Sequence, residues 1–145
     1  MPNGKWLVFD TSVYISAIHG GAFGPASRRL REMLPRTYLA SVVSAELRAG
    51  AITDKARRAV QDVTQWAHRV GRIVTPGAGT WERAGDILGQ MWRKEPDLRS
   101  KVPTLWNDML IALSARQVGA AVETHNVGDF ETLRRYVRFD LRPFA

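Results

Sequence analysis

The sequence predicts an α/β protein: a three-layer α/β/α sandwich around a mainly parallel central sheet. Three observations predict it. Short apolar runs alternate with longer segments of helical periodicity, the pattern of repeated βαβ units. Chain breakers fall between them, at Gly20-Gly21, Gly24-Pro25, Pro35, Gly50 and Pro76-Gly77. A length of 145 residues, 45% of them apolar, supports one domain with its own core, and no repeat, low-complexity tract or long linker divides residues 1–145.

Lys5-Trp6-Leu7-Val8-Phe9 reads as a buried strand running into helix-capping Asp10-Thr11-Ser12, with a helix from Thr11 to Ile18. Ala26 to Leu34 places Leu30, Met33 and Leu34 on one side and Arg28, Arg29 and Arg31 on the other, and Pro35 ends it. Thr37–Ala40 is the second strand, followed by a helix of small and apolar residues from Val42 to Ala49. Lys55–Val70 has apolar residues at helical spacing, Arg72–Thr75 is the third strand, and Trp81–Arg93 is a helix with Trp81, Ala84, Leu88, Met91 and Trp92 inward. Glu95–Pro103 reads as a polar loop. Met109–Val118 is so apolar that it predicts a central, buried helix. Ala120–Thr124 is the fourth strand, Asp129 caps a short helix through Arg135, and Tyr136–Leu141 is a last strand before Pro143.

The chain carries 21 Lys+Arg against 14 Asp+Glu, a formal charge of +7, which favours a polyanionic partner such as RNA or DNA. With no cysteine, disulfides, thiolate zinc sites and cysteine nucleophiles are excluded, in keeping with a reducing compartment. His19, His68 and His125 are isolated, with no pair at ligand spacing. Residues Met1 to Lys5 lead into only a short apolar run, unlike a signal peptide, and no segment approaches the roughly 18 apolar residues of a membrane helix. A cytoplasmic protein without membrane contact is the expectation.

Against this basic background four carboxylates stand where element patterns change: Asp10, Glu46, Asp108 and Asp129. Ligands of parallel α/β sheets bind beyond the carboxyl ends of the strands. Asp10 follows the first strand, Asp129 follows the fourth, Glu46 lies on the helix after the second, and Asp108 opens the buried helix. All four can therefore meet at one end of the sheet. Crowded carboxylates repel unless a cation lies between them, and an all-oxygen donor set suits Mg²⁺ or Mn²⁺. Such a site supports phosphodiester hydrolysis. Taken singly, each acid has a plainer reading: Asp10 and Asp129 as helix caps, Asp108 at a favourable helix start, Glu46 as a surface residue.

The same residues resemble the PIN-domain ribonucleases, and among them the VapC-like toxins of toxin–antitoxin pairs. Val8-Phe9-Asp10-Thr11-Ser12-Val13-Tyr14-Ile15 looks like the opening strand and Asp-Thr-Ser signature of that family. Ser41–Leu47 resembles its glutamate segment, Asn107-Asp108-Met109-Leu110-Ile111-Ala112 its Asp-x-x-Ile-Ala helix, and Glu123–Phe130 its closing Thr-x-Asn-x-x-Asp-Phe motif. The resemblance implies a PIN-like fold and an endoribonuclease that cuts structured RNA, tRNA or ribosomal RNA. It further implies Mg²⁺ or Mn²⁺ held by Asp10, Glu46, Asp108 and Asp129, a cognate antitoxin that silences the enzyme, and a homodimer. Ser12 would orient Asp10 or a metal-bound water, while Thr124 and Asn126 would hydrogen-bond the acidic cluster. His125 departs from the family pattern and receives no role.

Arg93, Lys94, Arg99 and Lys101 precede Asp108, and Arg134 and Arg135 follow Asp129, so these six are candidate phosphate contacts. Arg48, two residues beyond Glu46, is placed to pair with a site carboxylate. Two other readings compete: a housekeeping PIN nuclease of RNA processing, and a nucleic-acid-binding protein with a degenerate site. Phosphatase chemistry of the haloacid-dehalogenase kind needs Asp-x-Asp, and the residue two beyond Asp10 is Ser12.

Overall fold

The computed structural model describes residues 5–144. Met1–Gly4, on which the reading of the N-terminal segment partly rests, and Ala145 lie outside them. Five strands form one sheet: β1 (Trp6–Phe9), β2 (Thr37–Ala40), β3 (Ile73–Val74), β4 (Ala120–Thr124) and β5 (Asp140–Pro143). Their order is β3-β2-β1-β4-β5 and every pairing is parallel. Because both faces are covered, the inner strands carry apolar runs instead of alternating, and Leu7, Val8, Phe9, Ala121 and Val122 are wholly buried.

The helices are α1 (Thr11–Gly20), α2 (Pro25–Met33), α3 (Ser41–Gly50), α4 (Asp54–Arg69), α5 (Ala78–Lys94), α6 (Val102–Gln117) and α7 (Val127–Arg134). Parallel crossovers are right-handed. The chain steps from β1 to β2 to β3 in one direction, then returns across the sheet to β4 and β5. Helices α1–α4 therefore cover one face and α5–α7 the other, giving the three expected layers. Helix contacts sort the same way: α1 meets α2 and α3, and α3 meets α4, while α6 meets α5 and α7. The order reverses between β1 and β4. That switch point is where an open parallel sheet leaves a crevice at its carboxyl end.

Local chemistry sets the element ends. The Thr53 hydroxyl accepts the Ala56 amide at 3.1 Å and caps α4. Gly119, at φ 68°, turns the chain from α6 into β4, a conformation that residues with a Cβ adopt only at a cost.

Several elements differ from expectation. Helix α6 begins at Val102, so Asp108 sits in its interior and not at its head. Pro103 is tolerated in the first turn, where its missing N–H would be unpaired in any case. The expected loop before it is a 3-10 segment, Pro96–Lys101. The last strand runs Asp140–Pro143 instead of Tyr136–Leu141; Pro143 fits because β5 is an edge strand. Trp81 is 49% exposed, not inward: it lies in the first turn of α5, which starts at Ala78, with its ring 6.1 Å from that of Trp106. Among the described residues no helix is long and apolar enough to cross a membrane.

Candidate active site

The carboxyl ends of β1 and β4 lie side by side, Phe9 opposite Glu123, and the next residues form the centre of the site. Asp10 is 5% exposed. It occupies the N-cap position of α1, yet its side chain caps nothing. Instead, Ser12 Oγ donates to Oδ1 at 2.5 Å and Thr124 Oγ1 donates to Oδ2 at 2.8 Å. Each hydroxyl also accepts a backbone amide from the β4–α7 loop: His125 N–H reaches Ser12 at 3.4 Å and Asn126 N–H reaches Thr124 at 2.8 Å. The Asp10 amide donates to the Glu123 carbonyl at 3.2 Å, extending the ladder by one residue. Burial pushes the Asp10 carboxyl above its ordinary range, opposed by the hydrogen bonds from Ser12 and Thr124.

Glu46 comes from the middle of α3 and is held by two neighbours. Thr11 Oγ1 donates to Oε1 at 2.9 Å and Asn107 Nδ2 to Oε2 at 3.3 Å. Contact between α3 and α6 over the sheet end makes the second bond possible. Sequence reasoning misses Thr11 and Asn107 as site residues; the one signal for each is that it adjoins a candidate acid.

Asp108 has the least comfortable environment. Burial comes first, then the charges of Asp10, Asp129 and Glu46, and together they push its carboxyl up to about 7. The other three acids are thus within electrostatic reach of Asp108. Among the described residues no three His, Asp or Glu side chains stand close enough to enclose an ion outright. The donor chemistry nevertheless fits a hard cation. Asp10 and Glu46 are oriented by hydrogen bonds that leave each oxygen a second lone pair, and Asp108 carries an unfavourable negative charge that a cation would relieve.

Asp129 is exposed in the first turn of α7. It is not the cap: Asn126 holds that position, without a side-chain cap bond. Asn126 joins the network through its backbone amide alone, and its side chain makes no hydrogen bond among the described residues. Asp108 and Asp129 line a cleft of about 280 Å³ together with Lys101, Thr104 and Thr132. On the other side Glu46 and Asn107 line a groove of about 460 Å³ that extends to Trp81.

The six candidate phosphate contacts divide. Lys101 lines the acidic cleft. Arg134 is committed to Glu131 at 3.2 Å, and Arg135 to Glu95 at 3.1 Å, where Tyr136 also donates. Lys94 lies 5.9 Å over the Tyr136 ring. Arg93, Arg99 and Arg48 are exposed and make no ion pair among the described residues, so the expected pairing of Arg48 with a site carboxylate is not formed.

The PIN domain family profile matches residues 7–134. Among solved structures, a chain of the DNA-bound VapBC complex of Salmonella typhimurium aligns with TM-score 0.68 and 20% identity, over 98% of this chain and 100% of that one. VapBC2 from Rickettsia felis, bound to a DNA fragment from its promoter, gives 0.63 and 20%, over 96% and 98%. VapBC-1 from nontypeable Haemophilus influenzae gives 0.62 and 18%, over 94% and 96%. At such identities the likeness is one of fold. No curated protein sequence matches.

Proposed function

The chain belongs to the PIN domain family, and on that premise we propose that it is a metal-dependent endoribonuclease acting as the toxin of a toxin–antitoxin pair. The observation that carries this reading is Asp108: a carboxyl held near 7 by burial and by three other carboxylates at a sheet switch point. A structural role gives no reason to gather four acids there in a chain of charge +7.

Asp10, Glu46, Asp108 and Asp129 would hold Mg²⁺ or Mn²⁺, which when bound supplies an activated water and neutralises charge on the scissile phosphate. Ser12 and Thr124 fix the Asp10 carboxylate from both oxygens, and Thr11 and Asn107 do the same for Glu46. Lys101 offers a cation on the wall of the acidic cleft, where an RNA phosphate would enter. Structured RNA, tRNA or rRNA, is the proposed substrate, by the family resemblance.

A second, separate surface supports an antitoxin partner. Helices α1, α2 and α4 enclose an apolar groove of about 310 Å³, lined by residues such as Tyr14, Ile18, Leu30, Leu34 and Val63. An amphipathic helix is the partner such a groove fits. The aligned solved structures are themselves two-protein complexes by name. The proposed homodimer rests on the family resemblance, and exposed Trp81 is an apolar residue that it would cover.

The deciding experiment is cleavage of total RNA by purified protein with Mg²⁺ or Mn²⁺ against EDTA, comparing wild type with Asp10→Asn and Asp108→Asn. Discrete fragments that require the metal and both acids are the expected result. Folded, partner-free protein that binds RNA but cuts none would favour a nucleic-acid-binding module with a degenerate site. An enzyme that cuts RNA but that no small neighbouring protein silences would be a housekeeping nuclease.

A further inference from the structure

One buried charge plays no part in the acidic cluster. Glu123, in β4, is 2% exposed, and the charges acting on Asp108 do not include it. An apolar residue would serve strand burial there, as Ala120, Ala121 and Val122 do in the same strand. Glu123 instead pairs with Arg29 of α2 at 3.2 Å, and Arg142 faces it in register on β5. A buried carboxylate is expensive unless paired, so this pair fixes α2 against β4 at one defined point.

That anchor adjoins the groups that hold Asp10. The Glu123 carbonyl accepts the Asp10 amide at 3.2 Å, and Thr124 donates to the Asp10 carboxylate at 2.8 Å. Successive strand residues project to opposite faces. The Glu123 side chain can therefore be anchored in the α2 layer while its neighbour Thr124 reaches Asp10. On the same helix as Arg29, Leu30 and Arg31 line the apolar groove. One helix thus borders the partner groove and holds the strand that orients Asp10.

We propose that Arg29 and Glu123 are positioning residues: their buried ion pair fixes the end of β4 so that Thr124 and the Glu123 carbonyl hold Asp10 in its working geometry. The proposal rests on the nuclease reading for its catalytic consequence, but not for its structural one. Apolar contact lacks direction. Replacing both partners by apolar residues should therefore keep the fold while loosening this registry.

The test compares wild type with Arg29→Met/Glu123→Leu and with Glu123→Gln. The double variant is expected to melt within a few degrees of wild type. Its Asp10 amide should exchange with solvent about tenfold faster while the Val8 amide, deeper in β1, is unchanged. Its kcat should fall about tenfold with KM within twofold, and Glu123→Gln, which keeps a hydrogen-bonding group, should recover most of that loss. Wild-type exchange at Asp10 together with wild-type kcat in the double variant would overturn the proposal and leave the pair a fastener of α2. If wild-type protein cuts no RNA, the nuclease reading fails separately, and the exchange rates at Asp10 and Val8 still decide whether the pair sets the geometry. Should the double variant fail to fold, Glu123→Leu alone decides, since the Arg29 side chain is 34% exposed and can turn to solvent: faster Asp10 exchange supports the proposal and wild-type exchange overturns it.

Discussion

The carboxyl end of the sheet and the groove between α1, α2 and α4 are incomplete in opposite ways. At the sheet end, burial and then the charges of Asp10, Asp129 and Glu46 push the Asp108 carboxyl up to about 7. In the groove, apolar side chains such as Ile18 and Val63 line a space of about 310 Å³ with little polar to offer. The first deficit is electrostatic and asks for a cation and a polyanion. The second is hydrophobic and asks for an apolar face of another chain. They lie in different parts of the fold, the acids at the switch point and the groove within one helical layer, so a substitution can disable either alone.

The sharpest way to break the comparison is at Asp10. Asp10→Asn should lower RNA cleavage about 10³-fold, roughly 4 kcal/mol of barrier, while leaving partner binding unchanged. Rates on a defined RNA fragment, beside a partner pull-down, check both halves. The next effect is in the groove. Val63 is part-exposed on its wall, so Val63→Glu should fold, cut RNA normally, and bind the silencing protein about 100-fold more weakly, near 3 kcal/mol. Calorimetric titration with the proposed antitoxin would measure this. Loss of cleavage in that variant would mean the two regions are coupled after all.

Stability against pH reads the electrostatic deficit directly. Asp108 has a raised carboxyl in the folded protein, about 7 against 3.8 unfolded. Between those values the folded state holds a proton that the unfolded chain has released. The stabilisation from this group is therefore full below about pH 4 and is lost as pH rises to about 7. Because Asp108 keeps some contact with solvent, the expected fall in metal-free protein is about 2 kcal/mol. Melting curves in EDTA from pH 4 to 8 should show it, and Asp108→Asn should flatten it. Added Mn²⁺ should restore stability at high pH by mass action. Asp10→Asn should leave the fold intact but gain less, because an amide cannot accept hydrogen bonds from Ser12 and Thr124 on both of its terminal atoms.

The strands and most helices are legible in the sequence because burial on both faces leaves an apolar run that few other contexts produce, as in Leu7-Val8-Phe9. As candidates, Asp10 and Asp129 stand out from their places after strand ends, and Glu46 and Asp108 from their helices of small or apolar residues. The hidden part depends on contacts far apart in sequence. Asn107 is 61 residues from Glu46, and Arg29 is 94 from Glu123, so no local pattern joins either pair. Asp108 reads as the head of a helix because Pro103 resembles the end of a loop, whereas proline is at home in a first turn. Among the basic residues, charge alone does not separate Lys101, on the cleft wall, from Arg134 and Arg135, which are occupied by Glu131 and Glu95.

That last separation yields the smallest prediction. If the acidic cleft admits the RNA backbone, Lys101 neutralises a phosphate there and the committed arginines do not. Lys101→Ala should weaken RNA binding by about 1 kcal/mol at low salt and lower the slope of log K against log salt by roughly 0.7, the counterion release expected for one contact to a single strand. Arg134→Ala should change affinity less than twofold, because removing it also frees Glu131, and exposed pairs contribute little. Fluorescence anisotropy across a salt series, in an Asp10→Asn background that cannot cut the probe, measures both slopes. Equal losses for the two variants would mean that RNA spreads over the basic surface at large. An unequal loss, larger at Lys101, would put its path through the cleft between Asp108 and Asp129, with the apolar groove left free for the protein partner.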